Sequence, residues 1–347
     1  MGLNLKYEPE VVVEDITKLT EEEWKQYRQM GIGGSDAAAV CGISPWKTTR
    51  DLYEEKIRTK AVKPKQPEGN WIALEIGKRL EELVVQIFMK KTGLQPYAVR
   101  KMFCHPLHPF MLANVDYFVE IRDEIYIIEC KTSFSFRMEE WENGAIPRHY
   151  QLQGQHYMAV TNVRGVIFLC LHGNNEDSFL MRSLNRDLEQ EEELIEQEKF
   201  FWNDFVLAKK PPEYTEHAAL VLKSIRERLE FHESEQVELP ETLTGNVVAY
   251  LDLKEQKAAL TRQADAIEEQ MKLAYAPVEE ALGGAEKGIL VVGNKRYQVG
   301  YTKRTTKSIN KGAMEAMQLL YPDICQDYAK TNISRTFYIK PEKEKTG

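Results

Sequence analysis

Two acidic residues and a lysine near the middle of the chain have types and a spacing that could serve phosphodiester hydrolysis. Twelve residues separate Asp116 from Glu129, and Lys131 follows two positions later. Mg²⁺ is typically held by one or two carboxylates together with substrate phosphates. A bound Mg²⁺ provides a nucleophilic water and neutralises the charge that develops on the phosphate. These three residues are therefore a candidate hydrolytic metal site.

A β-hairpin is predicted to position the three side chains. Residues 111–121 and 124–131 form two runs rich in β-branched and aromatic side chains, separated by a polar pair, which is typical of a hairpin. Because side chains alternate along a strand, Glu129 and Lys131 emerge on the same face. Cys130 faces the opposite side, where a small core residue is expected.

The register of this hairpin follows from its loop. With the two intervening residues as the loop, Ile121 faces Glu124, and counting back places Asp116 opposite Glu129. Directly opposed carboxylates repel each other, and a divalent cation between them would remove that repulsion. A bulge would move the register by one residue. The pattern is also compatible with an edge hairpin whose acidic and basic side chains are solvated.

A helix over residues 70–92 is predicted from an apolar stripe with helical periodicity, and Gly93 is its expected C-cap. The helix carries the acids Glu75, Glu81 and Glu82. One of them could reach the hairpin as a third carboxylate. The spacing alone does not choose among them, and most glutamates on helices are simply solvated.

In the segment Gly31–Gly42, a glycine-rich turn leads into an alanine-rich helix with Ser35 near its start. The N–H groups at a helix N-terminus suit a phosphate, and Arg28 from the preceding helix can contact a phosphate through two parallel hydrogen bonds. The alternative is that the turn only caps the helix and that Arg28 pairs with a nearby acid such as Glu22 or Asp36.

The rest of the N-terminal two thirds alternates between helices and strands. A capping box of Thr20 and Glu23 begins a short helix. A helix over 148–161 contains three glutamines that cannot share one face, a buried strand follows over 163–172, and an acidic helix over 184–209 is expected to be solvated. The order helix, strand, hairpin, helix, strand, helix predicts an α/β sandwich around a small mixed sheet.

The composition is that of an ordinary globular protein, with 347 residues of which 43% are hydrophobic and 29% charged. No apolar run approaches the ~20 residues of a membrane span, and the N-terminus lacks the apolar core of a signal peptide, so a cytoplasmic protein is expected. The net charge of −8 argues against a uniformly basic nucleic-acid coat but permits a local basic groove. Five cysteines without a CxxC pair indicate neither a zinc site nor a disulfide framework.

Two domains are expected, a catalytic domain over residues 1–215 and a C-terminal extension over 216–347, because a proline pair and a polar stretch lie near the boundary. Within the extension, residues 242–282 have apolar positions with dense charge between them, which resembles one arm of a helical pair. A hairpin over 288–301 and a final strand over 333–340 complete the prediction.

Five segments together resemble the YqaJ-like phage recombination exonucleases, relatives of lambda exonuclease in the PD-(D/E)XK nuclease superfamily. The segments are Trp24-x3-Arg28-x2-Gly31-x3-Ser35, Ser44-Pro-Trp-Lys-Thr48, Gly77-Lys-Arg-Leu-Glu81, Asp116 with Glu129-Cys-Lys131, and Tyr150-x2-Gln153-x-Gln155-x-Tyr157-Met. The resemblance implies a PD-(D/E)XK core, in which helices flank a mixed central sheet, with a C-terminal α+β extension. The Pro-Asp dipeptide that names the superfamily is Val115-Asp116 here.

The resemblance implies a metal site. Asp116 and Glu129 would bind the catalytic metal together with the backbone carbonyl of Cys130. Glu81 would support the metal, directly or through water. The implied ion is Mg²⁺, with Mn²⁺ as a substitute.

The resemblance also implies roles for four further side chains. Lys131 would orient or deprotonate the attacking water, and Gln153 would position Lys131 or the nucleophile. Arg28 and Ser35 would bind the 5′ phosphate of a DNA end.

The implied function is a Mg²⁺-dependent 5′→3′ exonuclease that degrades one strand of linear double-stranded DNA. The implied partners are DNA ends, a single-strand annealing recombinase of phage-type homologous recombination, and further copies of the chain in a ring-shaped trimer. The implied setting is a bacterial cell, with the chain encoded by a phage or prophage. Relatives with an iron–sulfur cluster need four spaced cysteines, which this chain does not have.

Two other functions are compatible with the same residues. One is a sequence-specific endonuclease of the same fold, although Arg28 and Ser35 argue for recognition of an end. The other is a non-catalytic module that binds DNA ends or a recombinase, although the intact set of Asp116, Glu129 and Lys131 argues for catalysis.

Overall fold

The structure, a computed structural model, describes residues 7–58, 71–133, 135–173, 176–229, 236–293, 295–301 and 311–323. These residues form two compact units, one that ends with Leu229 and one that begins with Gln236. The first unit extends past the boundary predicted at residue 215, since the Ser224 hydroxyl donates a hydrogen bond to Asp51 at 2.6 Å. The basic loop over 61–69 and the strand predicted over 333–340 lie outside the described residues.

The first unit contains helices α1 to α7 and strands β1 to β8. The helices are α1 (Glu21–Gln29), α2 (Ala37–Val40), α3 (Thr49–Ile57), α4 (Trp71–Thr92), α5 (Arg148–Thr161), α6 (Leu188–Phe200) and α7 (Ala218–Arg228). The strands are β1 (Glu10–Val13), β2 (Ile32–Gly33), β3 (Met102–Cys104), β4 (Met111–Ala113), β5 (Tyr117–Ile121), β6 (Glu124–Ser133), β7 (Gly165–His172) and β8 (Phe179–Asn185).

The central sheet has the strand order β5-β6-β7-β8 and is mixed, since β6 and β7 are parallel while the two outer pairs are antiparallel. A second sheet has the order β1-β3-β4-β2. One face of the central sheet packs against α5 and the other against α4. The buried residues of the α5 face include Ile127, Met158, Val166 and Phe168, and those of the α4 face include Val84, Phe88, Ile128 and Leu169. The predicted α/β core with a mixed sheet between helices is confirmed.

Several local predictions are confirmed as well. Thr20 and Glu23 form the capping box that begins α1. Helix α5 has the predicted bounds, and α4 is followed by Gly93 in a left-handed conformation with φ of 74°. Cys130 packs on the α4 face of the sheet, as expected for a small core residue.

The run 111–121 was predicted as one strand, and this prediction is wrong. The run divides into β4, which belongs to the second sheet, and β5, which belongs to the central sheet. Chains often bend where a strand passes from one sheet to another. Asp116 lies in this bend, immediately before β5, where the backbone is not committed to a continuous ladder.

The acidic segment 184–209 also differs from its prediction. Its first residues belong to β8, the helix α6 begins at Leu188, and a wider π-helical turn follows over Phe201–Leu207. The expected solvated face is wrong for two of its acids, because Glu191 and Glu198 are buried. Each has a basic partner, Arg186 and His156 respectively, which compensates the cost of burying a carboxylate.

The second unit consists of α8 (Thr244–Leu282), a hairpin of β9 (Lys287–Val292) and β10 (Lys295–Gly300), and α9 (Lys311–Leu320). The helix and the hairpin lie where the sequence predicted them. No residue of α8 is buried among the residues that the structure describes. None of the helices in the described ranges is both long and apolar enough to cross a membrane.

Candidate active site

The register of the β5–β6 hairpin brings the two predicted carboxylates together. Ile121 pairs with Glu124 and Tyr117 with Ile128, so the predicted register is confirmed over β5. Asp116 directly precedes Tyr117 and Glu129 directly follows Ile128, so both carboxylates lie at this end of the paired strands. The Asp116 Oδ2 atom accepts a hydrogen bond from the backbone N–H of Cys130 at 3.1 Å, which fixes the side chain beside β6.

Burial and neighbouring negative charge act on Asp116. Burial is the largest cause that raises its pKa well above the ordinary value, and the carboxylates of Glu129 and then Glu81 raise it further. Lys131 and the Cys130 N–H oppose this shift without cancelling it. The ionised form of Asp116 is thus disfavoured in this site unless additional positive charge arrives.

Glu81 is the glutamate of α4 that faces the carboxylate pair. Burial raises the pKa of Glu81, and the charge of Glu129 adds to that shift while Arg100 opposes it. The other two candidates point elsewhere, because Glu75 bonds with Arg79 and Glu82 with Gln86, both on the exposed side. Helix α4 can approach β6 here because Gly77, which has no side chain, faces Thr132. A Cβ added at Gly77 would lie 3.4 Å from Oγ1 of Thr132.

Lys131 lies against Glu129 on the same face of β6, as predicted. Its Nζ is 2.8 Å from Glu129 Oε1 and 3.1 Å from Gln153 Oε1, and 4.7 Å from the centre of the Tyr150 ring. Burial alone would lower the pKa of Lys131, but the charge and hydrogen bond of Glu129, together with Tyr150 and Asp116, outweigh burial and raise it. In this arrangement Lys131 is an ammonium group that donates hydrogen bonds.

Of the three glutamines on α5, Gln153 is the one that reaches the carboxylates. Its Nε2 donates to Glu129 Oε1 at 2.6 Å and to the Tyr157 hydroxyl at 3.1 Å. Gln151 donates instead to the carbonyl of Ile146, and Gln155 to Gln190.

The donor set suits a divalent cation. The Oε2 atom of Glu129 is buried and has no hydrogen-bond partner among the described residues, although its Oε1 accepts two hydrogen bonds. A buried carboxylate oxygen without a partner is costly, and a cation would satisfy it. Within the described ranges, no three histidine, cysteine, aspartate or glutamate residues form a metal-holding group by themselves. Mg²⁺ usually keeps several waters and needs only one or two carboxylates, so Asp116 and Glu129 fit it.

Arg28 lies in a cluster of three cations around one buried carboxylate. Arg28 Nη2 is 2.9 Å from Asp36 Oδ2 and 3.1 Å from Ser35 Oγ. The Nζ atoms of Lys47 and Lys56 are each 2.9 Å from an oxygen of Asp36. Burial would raise the pKa of Asp36, but the three cations outweigh burial and hold it well below the ordinary value.

Of the alternatives that the sequence left open, the structure shows the pairing of Arg28 with an acid. Arg28 does pair with Asp36, yet that carboxylate is 1% exposed, and Arg28 also bonds with Ser35, the second predicted phosphate ligand. Lys47 and Lys56 were not among the site residues predicted from the sequence. The position of Lys47, directly after the Ser-Pro-Trp turn within a matched segment, was a signal that could have been used.

Two glycines allow this cluster to approach the carboxylates. An added Cβ on Gly33 would lie 1.5 Å from Nη1 of Arg28, so the guanidinium rests directly on the bare backbone. An added Cβ on Gly34 would lie 2.4 Å from the ring of Tyr157, whose hydroxyl bonds with Gln153. Tyr157 therefore packs on the turn that carries Asp36 and, through Gln153, is linked to Glu129. The helix expected to follow this turn is only four residues long, so its N-terminus offers little for a phosphate.

Among solved structures, the chain is similar to the alkaline exonuclease LHK-Exo from Laribacter hongkongensis, with a TM-score of 0.45 and 19% identity over 59% of this chain and 98% of that one. It is also similar to a phage related exonuclease from Haemophilus somnus 129PT, with a TM-score of 0.39 and 14% identity over 54% of this chain and 99% of that one.

Two comparisons of the amino-acid sequence also match the chain. Residues 23–164 match the YqaJ-like viral recombinase domain, a range that includes every candidate residue described above. The uncharacterized protein YqaJ of Bacillus subtilis (strain 168) is 30% identical over 326 residues, which are 93% of this chain and 95% of that protein. With a relative of this identity over nearly its whole length, the chain belongs to the family of YqaJ-like viral recombinase domain proteins.

Proposed function

We propose that the protein is a Mg²⁺-dependent 5′→3′ exonuclease that degrades one strand of linear double-stranded DNA. The observation that carries the proposal is the pairing of Asp116 with Glu129. In this pair, Oε2 of Glu129 has no hydrogen-bond partner among the described residues, and the ammonium of Lys131 contacts Oε1 of Glu129. A site built only for stability would not bury two carboxylates side by side. Digestion of one strand would supply single-stranded DNA to an annealing recombinase.

The metal would be held by Asp116, by Glu129 and by the Cys130 carbonyl, with Glu81 acting through water. The ion, for which Mn²⁺ is a substitute, supplies positive charge to the scissile phosphate and favours ionisation of the attacking water. The coordination requires Asp116 to be ionised, and the approach of a cation would oppose the effect of burial on its pKa.

The remaining groups act on the water and on the leaving charge. Lys131 donates hydrogen bonds, so it can orient the attacking water and stabilise negative charge on the phosphate. Gln153 holds Glu129 and Lys131 in place, since it bonds to both. The raised pKa of Lys131 keeps this side chain protonated. We therefore favour a role in which Lys131 orients the attacking water over one in which Lys131 removes a proton from that water.

The 5′ polarity rests on the cation cluster. A terminal phosphate carries more negative charge than an internal one, and the three cations Arg28, Lys47 and Lys56 outnumber the two carboxylates that they contact, Asp36 and, through Lys47, Glu55. Arg28 and Ser35 are the proposed ligands of this phosphate, with the two lysines as additional positive charge. We also propose that three copies of the chain form a ring around the duplex, as the family resemblance implies.

The test is a time course with duplex DNA labelled at either end, with and without a 5′ phosphate, in Mg²⁺, in Mn²⁺ and in chelator. We expect label release from the 5′ end of linear duplex, faster with the phosphate, and no cleavage of closed circular DNA. Linear duplex left intact in both metals would overturn the enzymatic proposal. Cleavage of closed circles would indicate an endonuclease, and release that begins at the 3′ end would overturn the polarity.

A further inference from the structure

A cavity of about 340 Å³ opens beside Lys131 and has aromatic walls. Its lining includes Trp46, Trp141, His149 and Tyr150, together with Lys131 at its inner end. This volume lies at the lower end of the ~300–1,000 Å³ typical of small-molecule sites. The catalytic chemistry proposed above uses none of these aromatic side chains.

The aromatic side chains differ in what they offer. Trp141 is buried and forms the floor, with its ring centre 5.7 Å from that of Tyr150. Trp46 is 51% exposed at the rim, where it meets His149 edge-on at 4.9 Å and 87°. A half-exposed tryptophan at the mouth of an aromatic cavity provides a flat apolar face, and such faces stack nucleobases.

The cavity adjoins residues from both parts of the proposed DNA site. Trp46 at the rim is followed in the chain by Lys47, which belongs to the cation cluster on Asp36. At the inner end, the Lys131 ammonium is 4.7 Å from the centre of the Tyr150 ring and 2.8 Å from Glu129. A nucleotide whose base occupies the cavity would thus have positive charge on the rim side and the carboxylate pair on the inner side.

We propose that this cavity binds the base of the 5′-terminal nucleotide, with Trp46 as its stacking residue. The proposal rests on the proposed exonuclease function and extends it to the position of the terminal base. Aromatic walls contact the face of a base and do not read its edge, so all four bases would be accepted. Stacking of the terminal base away from its partner would hold the frayed end while the next phosphate reaches Lys131.

The binding test uses deoxyadenosine 5′-monophosphate and 2-deoxyribose 5-phosphate, measured by calorimetry in metal-free buffer. The two ligands share the phosphate and differ by the base. We expect the nucleotide to bind roughly tenfold more tightly than the sugar phosphate, as one base stack provides. In Trp46→Ala this advantage should disappear, in Trp46→Phe most of it should remain, and in Trp71→Ala, an exposed tryptophan outside the cavity, it should be unchanged.

The turnover test uses linear duplex whose 5′-terminal nucleotide either carries a base or is abasic. For the unaltered protein, kcat/KM should be roughly tenfold lower on the abasic end, and for Trp46→Ala the two ends should be equivalent. Equal binding of the two small ligands by the unaltered protein, or an advantage of the base that survives Trp46→Ala, would overturn the proposal.

These outcomes distinguish a failure of the base-binding proposal from a failure of the exonuclease proposal. Active digestion without any dependence on Trp46 would remove the base site and leave the proposed function. Binding of the nucleotide that depends on Trp46, in a protein that digests no DNA, would keep the base site and remove the proposed function. Thermal unfolding of each variant shows whether the fold is retained. If Trp46→Ala does not fold, Trp46→Leu decides the matter, because it keeps an apolar side chain without an aromatic face and should lose the advantage of the base.

Discussion

At the scale of single residues, Glu129 is the side chain on which the site converges. One of its oxygens accepts hydrogen bonds from Lys131 and Gln153, while the other has no partner among the described residues. Asp116 differs, since its one observed hydrogen bond comes from a backbone N–H and its pKa is raised by burial and by its acidic neighbours. Removing the charge of Asp116 should therefore change the thermal stability of the protein differently from removing the charge of Glu129.

Lys131→Ala should abolish cleavage and leave DNA binding largely intact. The ammonium hydrogen-bonds with Glu129 and Gln153, which suits it to position the attacking water, and groups that position or transfer a proton contribute ~10²–10⁴-fold to rate. Single-turnover rates and equilibrium binding to a linear duplex would measure the two effects separately. Lys90→Ala, an exposed lysine on α4, is the matched control. Parallel losses of binding and rate would contradict this role.

Asp116→Asn should raise the melting temperature in metal-free buffer near neutral pH. Because the folded-state pKa of Asp116 lies above the ordinary ~3.9, its ionisation lowers the stability of the native protein as pH rises from that value to the folded-state pKa. The gain in melting temperature of Asp116→Asn over the unaltered protein should therefore be small in acid and reach a plateau above the folded-state pKa of Asp116. Thermal unfolding across a pH series measures it.

Two further measurements test the metal assignment of Asp116. Mg²⁺ should raise the melting temperature of the unaltered protein but not of Asp116→Asn, because a ligand that binds only the folded state stabilises that state. An equal Mg²⁺-dependent shift in both would rule Asp116 out as a ligand. Glu129→Gln should not share the gain in metal-free buffer, since it removes the counter-charge of the buried Lys131 ammonium.

Arg28→Ala should erase the preference for 5′-phosphorylated over 5′-hydroxyl ends. Asp36 keeps Lys47 and Lys56 in this variant, so the fold should survive. Gly33→Ala should cause the same loss with the charge retained, because the added Cβ would meet the guanidinium at 1.5 Å and displace it. The ratio of digestion rates on the two kinds of end is the measurement.

The control for these variants is Lys25→Ala, which removes an exposed cation from the same helix. It should keep the wild-type ratio. If Arg28→Ala and Gly33→Ala also keep that ratio, Arg28 serves only as a partner of Asp36.

At the scale of elements, α5 holds the site to the rest of the first unit. His156 on this helix contacts Glu198 of α6 at 2.8 Å through Nδ1 and the carbonyl of Leu112 in β4 at 2.9 Å through Nε2. The same helix carries Gln153, which contacts Glu129, and Tyr157, which packs against Gly34 in the turn before Asp36. A shift of α5 would therefore move both halves of the site together.

Glu198→Ala should destabilise the protein by ~3–5 kcal/mol, since it leaves a buried partner without its counter-charge. Burial would lower the pKa of His156, but Glu198 outweighs burial and raises it above the ordinary value of ~6.5. The contribution of the pair is therefore fully present below that ordinary value and is lost as pH rises through the folded-state pKa.

Urea unfolding of both proteins across a pH series gives the difference in unfolding free energy. We expect this difference to shrink as pH rises above about 6.5. If the difference in unfolding free energy between the unaltered protein and Glu198→Ala instead grows with pH, His156 and Glu198 do not share a proton.

At the scale of the whole molecule, every candidate residue lies in the first of two compact units. The second unit contributes a 39-residue helix and a hairpin, and none of the proposed catalytic contacts involves it. With a net charge of −8, the chain as a whole would not attract DNA, so binding depends on local positive charge such as the cation cluster.

A chain that ends at residue 232 should therefore still digest linear duplex in the presence of Mg²⁺, at a rate comparable with the full chain. Circular dichroism and thermal unfolding establish that the shortened protein is folded. Light scattering of both forms shows whether each has three times its monomer mass, as the proposed ring requires. A folded but inactive shortened protein would mean that the second unit completes the site.

The sequence by itself determined the features that neighbouring residues control. The capping box of Thr20 with Glu23 and the bounds of α5 follow from local hydrogen bonding and periodicity. The hairpin register also follows, because Arg122 and Asp123 adopt positive φ angles of 51° and 64° and close a two-residue loop. Once the loop is set, alternation places Asp116 opposite Glu129 without further information.

The tertiary structure alone decided which side chains join that pair. Periodicity shows that a helix has a face but not which element covers it, so the sequence could not choose Glu81 over its neighbours or Gln153 over the other glutamines. The convergence of Lys47 and Lys56 on Asp36 joins side chains 11 and 20 residues apart. The division of 111–121 between two sheets likewise depends on strands distant in the sequence, because hydrogen bonds with those partners, and not local propensity, decide where a strand ends.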